Sequence, residues 1–139
     1  MRSIAALPLE NVRYEAIGRG WPPIEGWNVR DEFVSESELD VLIDTADCIV
    51  IPYRRFYQSG IAIRALESCT PIVGPTNTSL DPLLGKTSRL LVAPGQPWTS
   101  AVRFALETGR APMAQIASSW HDRAIADWAA WANHGPLGN

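Results

Sequence analysis

The chain has 139 residues, of which 46% are apolar and 19% charged, and its formal net charge is −3. This length suits one domain, residues 1–139, with a sizeable core, and the charge argues against a non-specific nucleic-acid binder, which carries a basic excess. No apolar run approaches the roughly 18 residues of a membrane span. The start, MRSIAALPLENVR, lacks the long apolar core of a signal peptide. We therefore expect a cytoplasmic protein.

The first part of the chain alternates strand-like and helix-like segments. VRYEAIG (12–18) predicts a short strand that ends at the turn residues GRGWPP, and WNVRDEFV (27–34) predicts a second strand. Ser35 and Glu38 have the spacing of a capping box, which predicts that a helix begins there. CIVIPY (48–53) is a continuous apolar run, typical of a strand that is covered on both faces in a parallel sheet.

The same alternation continues to the end of the chain. The segments are a helix from Gln58-Ser59 to about Ser68, a strand at PIVGPT (71–76), a loop with one helical turn at NTSLDPLLGKTS, a strand at SRLLVAPG (88–95), a helix that starts near Pro97 and ends at Gly109, and a last long helix or helix pair from Ala111.

This order of elements predicts the fold class. Buried strands that alternate with helices favour a three-layer α/β domain of the Rossmann-like type, with a mostly parallel sheet and helices on both faces. Ligands of such sheets bind at the carboxyl ends of the strands. The segment PYRRFYQSG (52–60) lies at one of those ends and leads into a helix, whose free N–H groups attract anions. The sequence therefore predicts an anion site at this turn.

Several residues in or near this turn have two interpretations. Arg54 either contacts phosphate through its guanidinium or belongs to a solvated arginine pair. Ser59 can cap the helix and bind phosphate at the same time. Tyr57 either stacks on a base or folds over the strand end. Gly18-Arg19-Gly20 has the look of a phosphate loop, but a GxG alone is weak and favours an ordinary turn.

Metal and disulfide chemistry are not expected from the spacing of the candidate ligands. His121 and His134 have no cysteine or second histidine at ligand spacing. Cys48 and Cys69 lie in apolar elements without CxxC spacing, which favours buried free thiols. We expect no metal and no cofactor.

Four segments in the same order resemble a known family. They are FVSESELDVLIDTADCIVIPYR, YQSGIAIRALESCTPIV, LLVAPG and SSWHDRA. Together they are similar to the C-terminal half of retaining GT-B-type glycosyltransferases of family 4 (group 1), over roughly two thirds of the chain. No single segment is specific, whereas the series of four is.

The resemblance implies a donor-binding role for this chain. That half of the family's enzymes binds the nucleotide-sugar, and an N-terminal half, or here a separate subunit, binds the acceptor. The implied residues are Ser59, Gly60, Arg54 and Gln58 for donor phosphate, Tyr57, Arg64 and Glu67 for donor sugar and ribose, and Phe33 and Val34 for the base.

The chain also departs from the family's pattern. Many members carry two glutamates seven residues apart, and the matching positions here are Arg64 and, upstream, Phe56 or Tyr57. Glu67 can instead pair with Arg64 at i,i+3 spacing. Cys69 stands where a glycine is usual. The catalytic arginine and lysine of the family lie on a first strand and helix that this sequence lacks, so we expect the chain alone to be inactive, and its catalytic residues remain unknown.

A rival interpretation comes from the C-terminal tryptophans. Trp120, Trp128 and Trp131 have spacings that place them on one helical face, which either packs on the sheet or forms a partner or self-association surface. An interaction or scaffold protein derived from the same fold is therefore the alternative function. An unrelated nucleotide-binding α/β domain is disfavoured, because neither an acidic phospho-acceptor cluster nor a complete GxGxxG is present.

Overall fold

The computed structural model describes residues 9–52 and 59–134. Within these ranges the chain forms five strands and five helices. In chain order they are β1 (Tyr14–Ile17), β2 (Trp27–Arg30), α1 (Glu36–Thr45), β3 (Ile49–Val50), α2 (Gly60–Glu67), β4 (Ile72–Pro75), α3 (Leu80–Leu84), β5 (Leu91–Val92), α4 (Trp98–Thr108) and α5 (Ala111–His134). The predicted order of strands and helices is confirmed, including the short helical turn at α3.

The strands form two small parallel sheets. One has two strands, with β1 paired to β2 from Tyr14–Trp27 to Ile17–Arg30. The other has three strands in the order β3-β4-β5. The three apolar runs that were predicted to be parallel strands are therefore confirmed as parallel neighbours, with β4 between the other two. The chain is thus a mixed α/β protein with small parallel sheets.

The second strand is shorter than the sequence predicts. β2 ends at Arg30, and Asp31 turns its carboxylate back to accept a hydrogen bond from the Gly20 N–H at 2.8 Å. This contact draws the chain away from the β1 ladder. Phe33 and Val34 consequently lie in the loop between β2 and α1, and the prediction that they end the strand is wrong.

Half of the predicted capping box is present at the start of α1. Ser35 Oγ accepts a hydrogen bond from the Glu38 N–H at 3.2 Å, as predicted. The Glu38 carboxylate accepts a hydrogen bond from the Arg30 guanidinium at 2.7 Å. The motif therefore predicts the start of the helix correctly, but the Glu38 side chain pairs with Arg30 and not with the backbone of Ser35.

The buried core surrounds the three-stranded sheet. Ile72 and Val73 of β4 are fully buried, and so is Thr70, which donates a hydrogen bond from Oγ1 to the Ile43 carbonyl at 2.9 Å. That bond ties the entry of β4 to α1 and satisfies a polar group that would be costly to bury alone. The other fully or almost fully buried side chains include Ile51, Leu66, Leu80, Ala105 and Met113.

One arginine joins the ends of two helices. Arg110 donates hydrogen bonds to the Ser68 carbonyl at 2.6 Å, to the Ala46 carbonyl at 3.2 Å and to the Asp44 carbonyl. Ala46 and Ser68 are the C-cap residues of α1 and α2. The last carbonyls of a helix lack intrahelical donors, and a cation there also complements the helix dipole. Arg110 therefore braces α1 against α2.

The last helix is continuous, and its tryptophans have different environments. Trp120 is half-buried and packs against the core, whereas Trp128 and Trp131 are 69% and 60% exposed. The latter two contact each other edge to face at 5.4 Å. The burial of the three differs because α5 packs on α2 and α3 through its first half and its second half extends past them. Of the two predicted outcomes, packing therefore holds for Trp120 and exposure for Trp128 and Trp131.

In residues 9–52 and 59–134, no helix combines the length and the apolar character that a membrane crossing requires.

Candidate functional site

The predicted anion site is built on the first turn of α2. Ser59 has extended backbone angles, and its Oγ accepts a hydrogen bond from the Ala62 N–H at 3.2 Å. Its carbonyl accepts the first intrahelical bond, from the Ile63 N–H at 3.1 Å. The prediction that Ser59 caps this helix is confirmed.

Two backbone donors remain at this helix start. The N–H groups of Gly60 and Ile61 make no hydrogen bond within the described residues. The first turn of α2 contains no acidic side chain that would neutralise them. Together with the partial positive charge of the helix N-terminus, they form a donor pair suited to an anion. Ile61 was not among the predicted site residues, although its position next to the glycine of a capped helix start was a usable signal.

Gly60 leaves space for a ligand at this point. Among the described residues, a Cβ atom at Gly60 would meet no heavy atom within 4 Å. Its backbone is helical, so the glycine is not required by conformation. What the missing side chain provides is access of a ligand to the two N–H groups.

The start of α2 opens onto a large cavity. Ile61 lines this cavity of about 860 Å³ together with Pro52, which follows β3, and Val34, from the loop after β2. Val34 and Ile61 therefore reach one cavity, which Phe33, Ser59 and Gly60 do not line. Phe33 is 74% exposed beside that loop.

Arg64 is held by the neighbouring helix. Its guanidinium donates to Asp40 at 2.8 Å and also binds Glu36, both of α1. The hydrogen bond to Glu36, and then the charges of Glu36 and Asp40, raise the pKa of Arg64 above its ordinary value. The predicted pairing of Arg64 with Glu67 is thus replaced by an interhelical pairing, because α1 brings two carboxylates closer. Glu67 is exposed at the last residue of α2.

Three predicted site residues, Arg54, Tyr57 and Gln58, lie outside the described residues. Their assignment to donor phosphate and donor sugar stays a prediction, as do the ligand roles of Arg64 and Glu67.

The GxG segment forms a turn, as the weak motif favoured. Gly18 and Gly20 have φ values of 129° and 86°, which suit glycine at both positions. The Asp31 carboxylate accepts a hydrogen bond from the Gly20 N–H, so this donor is not available to a ligand. A carboxylate at this place repels phosphate, so this turn does not provide a second anion site.

Both cysteines are free thiols, as the sequence predicts, but each is half-buried and not fully buried. Burial, and then the negative charge of Asp47, raise the pKa of Cys48 to about 12, so its thiol stays protonated and is a weak nucleophile. Cys69 has a φ of 55°, the left-handed region that favours glycine, which accounts for the glycine expected at this position. Among residues 9–52 and 59–134, no three or more His, Cys, Asp or Glu side chains group as metal ligands do.

Comparison with known proteins gives no assignment. No family model matches the chain, and no curated protein matches it.

Proposed function

We propose that this chain is the donor-binding, Rossmann-like part of a glycosyltransferase that takes its sugar from a nucleotide-sugar. The observation that carries the proposal is the first turn of α2. There, Ser59 caps the helix, and the N–H groups of Gly60 and Ile61 make no hydrogen bond within the described residues; this helix is the first after the parallel strand β3. The carboxyl ends of parallel strands are where such sheets bind their ligands.

The chemistry of sugar transfer explains what this turn would do. When the bond between sugar and diphosphate breaks, negative charge grows on the leaving diphosphate. Fixed N–H donors and a helix N-terminus stabilise that charge without reorganising. Arg54 and Gln58 would add donors to the same diphosphate, and Tyr57, Arg64 and Glu67 would face the sugar and ribose. The cavity beside Val34 would hold the base.

The remaining parts of the enzyme would come from elsewhere. The acceptor would be bound by an N-terminal half or by a separate subunit. With no catalytic residue assigned to this chain, we expect it to bind donor without transferring sugar when alone.

Nucleotide affinity of matched cap variants tests the proposal. Ser59→Asp puts a carboxylate beside the proposed phosphate position, and Ser35→Asp makes the same change at the N-cap of α1. Acids are tolerated near a helix N-terminus, so both variants should fold. In calorimetric titrations with a panel of nucleoside diphosphates and nucleotide-sugars, we expect Ser59→Asp to weaken binding at least about tenfold, which is ~1.4 kcal/mol, and Ser35→Asp to leave it unchanged. Equal affinities for wild type and both variants would remove Ser59 from the site.

A second function has support from the C-terminal helix. Trp128 and Trp131 expose a pair of indoles beside Ile125, which is 56% exposed. Exposed apolar patches of this kind mark partner surfaces, which favours an interaction or scaffold protein. If the wild-type chain binds no nucleotide at millimolar concentration but self-associates through these indoles in sedimentation experiments, the scaffold function replaces the enzymatic one. Trp128→Ala with Trp131→Ala should then restore the monomer, while Trp120 stays in the core.

A further inference from the structure

We draw no further inference here: the strongest candidate, the exposed apolar face of α5 formed by Ile125, Trp128 and Trp131, already supports the second function proposed above, and nothing in the described part of the structure shows what covers it.

Discussion

The β3-β4-β5 part and the β1-β2 part of this protein differ in how much of their surface they bury. In the three-stranded part, Ile72 and Val73 of the central strand are fully buried. In the two-stranded part, Ala16 is the one buried residue of either strand, and the pair is joined by stacking of Tyr14 on Trp27 at 5.1 Å. Two strands alone are marginally stable in water. The β3-β4-β5 part therefore contains the hydrophobic core, and the β1-β2 part is the less buried of the two.

The largest expected effect lies in the well-packed part. Leu80 is fully buried, and a methyl group at Gly74 would overlap its Cδ1 atom. We expect Leu80→Ala to lower the free energy of unfolding by about 2–5 kcal/mol and Gly74→Ala by about 1–3 kcal/mol. The double variant should lose less than the sum, because Ala at position 80 makes room for the new methyl. Urea unfolding measures all three.

An exposed substitution serves as the control for these two core substitutions. Val41→Ala, at a position that is 60% exposed on α1, should change the unfolding free energy by no more than about 0.5 kcal/mol. Strictly additive effects at Gly74 and Leu80 would show that the two do not meet in the core.

A smaller effect is expected where α1, which follows the β1-β2 part, is fastened to α2. Arg110→Ala removes the donor of three backbone carbonyls, and we expect a loss of about 1–2 kcal/mol in the free energy of unfolding. Arg103→Ala, an exposed change on α4, is the control and should cost no more than about 0.5 kcal/mol. Indistinguishable urea midpoints for the two variants would mean that Arg110 does not brace the helices.

The last expected effect is absent at neutral pH, appears only under alkaline conditions and concerns Cys48, directly before β3. The pKa of Cys48 is raised from 9.0 to about 12 in the folded chain. Above pH 9 the unfolded chain loses this proton while the folded chain keeps it, so the stability associated with the protonated thiol declines as pH rises from 9 to 12. The stability of Cys48→Ala should decline less steeply over this range than that of the wild type.

Val41→Ala, an exposed change that removes no ionisable group, is the control for this titration and should follow the wild-type pH dependence. Parallel curves for the wild type and Cys48→Ala would show that the thiol titrates as it does in water, and that the cavity around β3 is wetter than its lining indicates.

Local patterns made much of the fold predictable. Ser35 and Ser59 both cap helices where the sequence places them, and the three apolar runs form parallel strands as predicted. These features depend on residues close in sequence and on strand burial. The shortening of β2 by Asp31 and the pairing of Arg64 with α1 could not be predicted, because both depend on contacts between segments that the fold brings together.

The location of the candidate site could be predicted from the sequence, but the contacts that depend on tertiary packing could not. Its place at the start of α2 follows from the order of elements, and Ser59 and Gly60 lie there. The Ile61 N–H could have been predicted from its place in the first turn of that helix, whereas the cavity that reaches Val34 emerges only from how the segments pack. Burial of Trp120 apart from Trp128 and Trp131 likewise depends on how far α5 extends past its neighbours, which helical periodicity does not specify.

The two capped helix starts allow the central claim to be tested in one measurement. α1 and α2 have the same cap geometry, with a serine Oγ accepting a backbone N–H at 3.2 Å, but α1 carries Glu36 and Glu38 in its first turn and α2 carries no acid there. Amide spectra of the labelled chain, titrated with nucleoside diphosphate, report on both at once. We predict saturable shifts at Gly60 and Ile61 and none at Glu36 and Ser37. Equal shifts at both helix starts, or none at millimolar ligand, would contradict a diphosphate site at α2.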